Sequence, residues 1–103
     1  MNSISGLKFL VSERAFRQEL YVGVALVVVE LCRSSSAMVL CYIAISYILV
    51  LLTEAINSAI EATIDRISLE KHHLSKKAKD IGSAAVLIAI MHLCIAWVVS
   101  FFL

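Results

Sequence analysis

The sequence predicts an all-helical integral membrane protein, on the basis of its composition, its long uncharged stretches and its shortage of turn residues. Of the 103 residues, 61% are hydrophobic and 17% are charged, whereas soluble domains average about 45–50% apolar and about 25% charged residues. A chain of this length has too little interior to hide so much apolar surface from water. With no proline and three glycines, it lacks the turn residues of an all-β fold. Its net charge of +1 offers no basic surface for nucleic acid.

The predicted elements form one membrane domain over residues 1–103. A short amphipathic helix over residues 1–15 comes first, because Ile4, Leu7 and Val11 share one helical face. A helix of this kind lies on a membrane surface. Three transmembrane helices follow, predicted over residues 16–33, 37–64 and 81–103.

Charge and length define the three predicted spans. Residues 37–53 carry no charge, and residues 81–103 contain no Asp, Glu, Lys or Arg. A spanning helix needs about 20 mostly apolar residues, and only helices satisfy their own backbone within one short segment in lipid. The first span qualifies if it begins near Phe16, which places Glu30 near its end as a snorkelling charge or an interhelical partner.

The connections between the spans are polar. Ser34, Ser35 and Ser36 form the predicted first turn, where a serine can cap the second span. Residues 65–80 form a polar loop, with Ser75 as the predicted N-cap of a helix that begins near Lys76.

Lysine and arginine residues predict the orientation, because they concentrate in the cytoplasmic loops of membrane proteins. Only Arg33 lies between the first and second spans, and no Lys or Arg follows the third. The amino terminus and the 65–80 loop are therefore expected in the cytoplasm and the carboxyl terminus outside. The residues that set this bias are Lys8, Arg14, Arg17, Arg66, Lys71, Lys76, Lys77 and Lys79.

A polar stripe follows the uncharged part of the second span. Glu54, Asn57, Glu61 and Asp65 are spaced by three or four residues and therefore share one helical face. A carboxylate at the bilayer centre costs about 2.5–3.5 kcal/mol on insertion scales, so such a residue is typical of a functional site. Glu54 is a candidate proton-relay carboxylate or general base, and Glu61 a candidate magnesium ligand. Alternatively, these carboxylates form ion pairs with basic residues at the membrane surface, the candidates being Arg66, Lys71 and Lys79.

The polar loop ends on Lys79 and Asp80, directly before the third span. A lysine at this point can meet phosphate, and the aspartate can meet a cation or orient the lysine. The adjacent His72 and His73 are poorly placed to hold one metal ion together. No glycine-rich phosphate loop occurs in the chain, so a nucleotide would be held by side chains and metal.

Three segments resemble the prokaryotic diacylglycerol kinase family: AFRQE at residues 15–19, EAINSAIEA at 54–62 and AKDIGSAAVL at 78–87. The resemblance extends over nearly the whole chain. It implies a homotrimer of three-span subunits that transfers the γ-phosphoryl group of ATP, with Mg²⁺, to the hydroxyl of diacylglycerol. The product would be phosphatidic acid.

The resemblance also implies roles for residues at the matching positions. Glu54 would be the general base, supported by Asn57, and Glu13 and Glu61 would hold Mg²⁺ with the nucleotide phosphates. The remaining nucleotide contacts would be Glu70, Lys71, His72, Lys79 and Asp80. The lipid contacts would be Arg17, Glu19, Ser83 and Trp97, together with Glu54.

Two alternatives remain open from the sequence. The undecaprenol kinases share the Glu54–Glu61 pattern, although the segments at 16–19 and 81–85 look more like the diacylglycerol branch. A small proton-coupled transporter would use Glu54 as its intramembrane carboxylate, but such transporters typically have four spans. The surface helix is shorter than is usual in the family, so any contact made by the missing part is absent or replaced.

Overall fold

The fold is known from a computed structural model that describes residues 2–33 and 36–102. Every element within these residues is an α-helix, which confirms the predicted all-helical class. The helices are α1 (Ser3–Ser12), α2 (Arg14–Arg33), α3 (Ala37–Ile67) and α4 (His73–Ser100).

The first helix is short and buries none of its residues. It begins where the Asn2 side chain accepts a hydrogen bond from the Ser5 amide at 3.0 Å, which satisfies one of the free donors at the helix start. Its last residue is Ser12, and the extended backbone of its C-cap, Glu13, separates α1 from α2. Its apolar side chains, such as Leu7 and Phe9, are exposed, as expected for a helix that lies on another surface.

The third helix begins at the predicted serine cap. The Ser36 hydroxyl accepts a hydrogen bond from the Val39 amide at 3.3 Å, while Ser34 and Ser35 lie outside the described residues. The helix has 31 residues, which corresponds to a length of about 46 Å. Because a bilayer core is about 30 Å thick, a membrane-spanning α3 must extend well beyond it. The stripe from Glu54 onwards occupies the carboxyl-terminal half of the helix.

The fourth helix begins earlier than predicted, and the assignment of Ser75 as its N-cap is wrong. Helix α4 starts at His73, and His72 is the N-cap because its Nδ1 accepts from the Leu74 amide at 3.1 Å. Since this imidazole satisfies a donor of the first turn, Ser75 lies inside the helix. The predicted 65–80 loop is accordingly helical at both ends, and only residues 68–72 connect α3 to α4.

Helices α3 and α4 pack against each other as an antiparallel pair. Val39 lies beside Ala96 at one end, and Asp65 bonds to Lys79 at the other. We call these the far end and the linker end. The buried faces contain many small side chains, which allow close helix packing in lipid; these faces are Val39, Ile43, Ser46 and Val50 on α3, and Gly82, Val86, Ala89, Ala96 and Ser100 on α4. Both helices are long and apolar enough to cross a membrane, each with a mean hydropathy of 2.2 in its most apolar window.

The second helix packs on α3 at a glycine. A Cβ atom on Gly23 would overlap the ring of Tyr47 on α3, so the absence of a side chain allows this close approach. Among the described residues, α2 is not one of the helices that meet the length and composition test for a span. Its charged residues explain the difference from the prediction: Arg14, Arg17, Glu19, Glu30 and Arg33.

A buried ion pair connects α2 to α4 at the far end. Glu30 is fully buried, and its Oε2 accepts from Arg33 at 2.8 Å. The same Arg33 nitrogen donates to the Ser100 hydroxyl of α4 at 2.8 Å, and the guanidinium lies 4.1 Å from the ring centre of Phe101. Glu30 is fully buried and bonds within α2, so it does not snorkel, and the contact with α4 is made by Arg33 rather than by Glu30 itself.

Removing Arg33 should destabilise the protein more than neutralising Glu30. Arg33→Met leaves the Glu30 carboxylate buried without its cation, and breaking a buried pair in this way costs about 3–5 kcal/mol. Glu30→Gln removes the carboxylate partner of Arg33, which is already partly exposed. This change should lower the free energy of unfolding by only about 1 kcal/mol. Unfolding in detergent micelles, followed by circular dichroism, measures both values. Equal losses, or no recovery when the two changes are combined, would contradict this account.

Candidate functional site

The polar stripe on α3 lies at the linker end of the helix pair. Because α3 is continuous from Ala37 to Ile67, Glu54, Asn57, Glu61 and Asp65 share one face as predicted. Glu54 is half-buried and Glu61 is exposed, and they are separated by about 10 Å along the axis. The stripe therefore runs from the packed interior towards the open end.

Glu54 meets a second carboxyl group, that of Glu19 on α2. Their side chains lie close together between α2 and α3. This contact joins a residue predicted to bind lipid to the predicted general base, and helical periodicity does not predict it because the two residues lie on different helices.

Glu19 also lines an apolar cavity of about 300 Å³ between α2, α3 and α4. The cavity is bordered by Val22 and Leu26 of α2, by Tyr47 and Val50 of α3, and by Ile90 and Leu93 of α4. A long apolar molecule that entered it would place a polar end near Glu19. Glu19 therefore stands at the polar end of an apolar groove, with Glu54 beside it.

Glu13 reaches the stripe from the junction of α1 and α2. Its Oε2 accepts from the Ser58 hydroxyl at 3.2 Å, and Asn57 Nδ2 donates to Glu61 Oε1 at 3.1 Å. Each carboxylate accepts through one of its two oxygens, and the two donors, Asn57 and Ser58, are neighbouring residues of α3. Ser58 borders the stripe in the sequence, but its partner was not predictable because α1 and α3 are far apart in the chain.

Gly82 of α4 fixes the position of Asn57. A Cβ atom at Gly82 would overlap Asn57 Oδ1, which is buried and has no hydrogen-bond donor among the described residues. Asn57 is therefore confined between α4 on one side and Glu61 on the other. The role of Gly82 extends beyond the helix packing expected of a small residue.

An open cavity of about 530 Å³ lies between the end of α3 and the start of α4. All five predicted nucleotide-contacting residues of this region line it: Glu70, Lys71, His72, Lys79 and Asp80. The rings of His72 and His73 stack with centroids 4.6 Å apart. No cluster of three or more His, Cys, Asp or Glu that could hold a metal ion occurs within residues 2–33 and 36–102.

Two exposed ion pairs border this cavity. Lys79 Nζ donates to Asp65 Oδ1 at 2.8 Å, and Lys76 Nζ donates to Asp80 Oδ2 at 2.6 Å. These hydrogen bonds raise the pKa of both lysines above the ordinary value, so both are cationic at neutral pH. Asp65 thus pairs with one of its predicted partners, whereas Asp80 orients Lys76 rather than its neighbour Lys79.

The other predicted lipid contacts are spread along the bundle. Arg17 and Ser83 are exposed; Arg17 lies in the first turn of α2, and Ser83 lies about 15 Å along α4 from its start at His73. Trp97 packs beside Val39, Ile43 and Ala96 at the far end, about 21 Å along α4 from Ser83. Ser83 and Trp97 are therefore too far apart to contact the same small group.

The chain is similar in sequence to a known family of proteins over almost its whole length. The family model described as prokaryotic diacylglycerol kinase matches residues 1–101. The chain is 50% identical over 88 residues to the diacylglycerol kinase of Escherichia coli K12, an alignment that covers 84% of this chain and 71% of that protein. It is 44% identical over 89 residues to the Pseudomonas aeruginosa diacylglycerol kinase, covering 82% and 69%. For the Haemophilus influenzae diacylglycerol kinase the identity is 38% over 96 residues, covering 92% and 81%.

Gly82→Ala should turn the Asn57 side chain and break its hydrogen bond to Glu61. The added methyl group occupies the space of Asn57 Oδ1, while the helix gains about 0.5–1 kcal/mol from replacing glycine. Because losing the hydrogen bond costs a similar amount, stability should change little. The side-chain amide resonance of Asn57 in an NMR spectrum should move towards its position in Glu61→Ala.

The matched control is Gly6→Ala in α1, where a Cβ atom would meet nothing within 4 Å. It should add stability and leave the Asn57 resonance unmoved. An unmoved Asn57 resonance in Gly82→Ala would mean that α4 shifts away instead.

Proposed function

This chain belongs to the prokaryotic diacylglycerol kinase family, and from that membership we propose that it transfers the γ-phosphoryl group of ATP to the hydroxyl of 1,2-diacylglycerol. The products are phosphatidic acid and ADP. One observation about the site carries the proposal beyond the family match: the half-buried Glu54 lies beside Glu19, which borders an apolar groove, while the predicted nucleotide residues line an open polar cavity at the same end. A lipid hydroxyl and a polyphosphate are substrates suited to these two environments.

Glu54 is the proposed general base. It takes the proton of the lipid hydroxyl as that oxygen bonds to the γ-phosphorus and the bond from phosphorus to the ADP oxygen breaks. Glu54 is half-buried beside Glu19, which supports this role because packing limits the positions of its carboxylate and proton transfer requires a base at hydrogen-bonding distance. Phosphoryl transfer otherwise depends mainly on positioning and charge neutralisation.

Glu13 and Glu61 are the proposed magnesium ligands. Mg²⁺ is usually held by one or two carboxylates together with substrate phosphates and water, so two carboxylates without a complete protein cage fit this ion. Ser58 and Asn57 each engage one carboxylate oxygen and leave the other available. When bound, the ion would neutralise charge on the nucleotide phosphates.

The proposed nucleotide cavity combines both signs of charge. Lys79 would contact a phosphate, as would Lys71, while His72 and Glu70 offer polar contacts to the nucleoside. The hydrogen bond from Lys79 to Asp65 holds the lysine at the cavity, and the lysine keeps its positive charge. Asp80 lies one residue on, also lines the cavity, and is the last of the proposed nucleotide contacts.

The proposed lipid site follows the groove along the bundle. The diacylglycerol hydroxyl would lie at Glu54 and Glu19, with Arg17 and Ser83 near the polar linkages. Its acyl chains would run along the apolar helices towards Trp97, which explains how a residue about 21 Å from Ser83 can contact the same lipid.

We further propose that α2, α3 and α4 all cross the bacterial inner membrane and that three subunits assemble. The linker end and α1 would face the cytoplasm, where ATP is available, and the carboxyl terminus would lie outside. The bias of lysine and arginine towards the linker end supports this orientation. The trimer is an expectation of the family resemblance.

Incorporation of labelled phosphate from ATP into diacylglycerol by purified protein tests the function, and Glu54→Gln tests the base. The variant keeps size and hydrogen bonding but cannot accept the proton, so turnover should fall by about 10²-fold or more. ATP binding on the same sample should be nearly unchanged. Undecaprenol offered in parallel distinguishes the two lipid acceptors.

Glu30→Gln is the matched control, since this carboxylate lies at the far end in a different ion pair. It should retain turnover in the folded fraction. Near-normal turnover by Glu54→Gln would exclude the general-base role, and failure of the unmodified chain to label either lipid would exclude the proposed function.

Glu61→Gln should raise the magnesium concentration needed for half-maximal turnover by about tenfold, since one of two proposed protein ligands becomes neutral. Binding of Mn²⁺ in the presence of a non-hydrolysable ATP analogue, followed by electron paramagnetic resonance, provides a second readout. The Glu30→Gln protein again serves as the control. An unchanged metal affinity would place Glu61 in a structural role with Asn57.

A further inference from the structure

One cation at the nucleotide cavity has no role in the site described above. Lys76 lines the cavity together with Lys79, Asp65 and Asp80. Lys79 and Lys71 are the proposed phosphate contacts, whereas Lys76 otherwise contributes only to the lysine and arginine bias of the sequence.

The two lysines present a pair of ammonium groups to the same space. Lys76 and Lys79 are three residues apart on α4 and therefore neighbours on one face, about 4.5 Å apart along the axis. Lys77, between them in the sequence, does not line the cavity. Lys76 lies in the first turns of α4, which begins at His73, where the helix dipole favours anions.

Each lysine bonds to an aspartate but keeps free N–H donors that can bind a phosphate group. Lys76 Nζ uses one donor on Asp80 at 2.6 Å, and Lys79 Nζ uses one on Asp65 at 2.8 Å. An ammonium group carries three N–H donors, so two remain on each lysine. Because exposed ion pairs contribute little to stability and the Lys76–Asp80 pair is strongly exposed, the fold does not require it.

We propose that Lys76 is a second phosphate-binding lysine of the nucleotide site, with Asp80 as its positioning residue. The inference rests on the proposed function for the identity of the ligand. Adjacent phosphoryl groups of the ATP triphosphate accept hydrogen bonds from Lys76 and Lys79 together, whereas a monophosphate engages only one of them.

The charge balance of the cavity makes this role sensitive to a single substitution. Its lining contains Lys71, Lys76 and Lys79 against Asp65, Glu70 and Asp80, so the cations and anions match in number. Removal of one lysine leaves a net negative cavity that repels a polyphosphate. The loss is therefore expected to exceed that of one exposed ion pair.

Equilibrium titration of the full-length protein in phosphatidylcholine nanodiscs tests the proposal, with ATP, AMP and inorganic tripolyphosphate as probes. Lys76→Met should weaken ATP and tripolyphosphate about tenfold and AMP about twofold or less. Lys76→Arg should retain most of the affinity. In the lipid kinase assay, the KM for ATP should rise while kcat stays within about twofold.

Lys77→Met is the matched control, because it removes an equal charge one residue away. It should leave all three affinities within about twofold, and both variants should unfold at the same temperature. Equal weakening by Lys76→Met and Lys77→Met, or equal weakening of AMP and tripolyphosphate, would overturn the proposal.

An anionic lipid headgroup offers the same phosphate chemistry from another source. Repeating the titration with phosphatidylglycerol in the nanodiscs separates the two, since a headgroup-binding Lys76 would affect ATP only in anionic discs, and that result would overturn the proposal. If tripolyphosphate binding depends on Lys76 but no lipid is phosphorylated, the proposed function fails and the lysine site stands. If lipid is phosphorylated and Lys76→Met binds ATP normally, the proposed function stands and the proposed role of Lys76 fails.

Discussion

The close antiparallel packing of α3 and α4 determines the rest of this structure. Apolar side chains gain little by leaving lipid for each other, so the two helices associate through small residues and interhelical hydrogen bonds. Gly82 allows α4 to approach Asn57, and Ala96 meets Val39 and Ile43 at the other end. This packing fixes the rotation of α4 about its own axis. That rotation decides which lysines face the polar cavity and which face away.

The remaining helices join the pair through the same residues that carry the proposed chemistry. Helix α2 meets α3 where Glu19 contacts Glu54, and the junction of α1 and α2 meets α3 where Glu13 contacts Ser58. A site assembled in this way places its charged groups between helices rather than on one of them. Its geometry is therefore only as stable as the docking of α1 and α2, and substitutions there affect fold and chemistry together.

The sequence predicted those features that arise within one helix, and it failed where the contact partner lies elsewhere. The shared face of Glu54 and Glu61 follows from helical periodicity alone, and Ser36 is a cap by local chemistry. The start of α4 was misplaced because His72 and Ser75 can both cap a helix and only the folded linker decides between them. The Glu19–Glu54 contact and the difference between Lys76 and Lys77 depend on tertiary packing, which periodicity does not contain.

The buried Glu30–Arg33 pair has a consequence for how the protein is made. An unpaired carboxylate within a span is costly, but these two residues lie one turn apart and can neutralise each other before α2 leaves the aqueous phase. Their polarity still keeps α2 less apolar than α3 and α4, and Arg33 finds its last partner, Ser100, at the end of the chain. As the first of the proposed spans, α2 can complete this contact only after α4 has been synthesised.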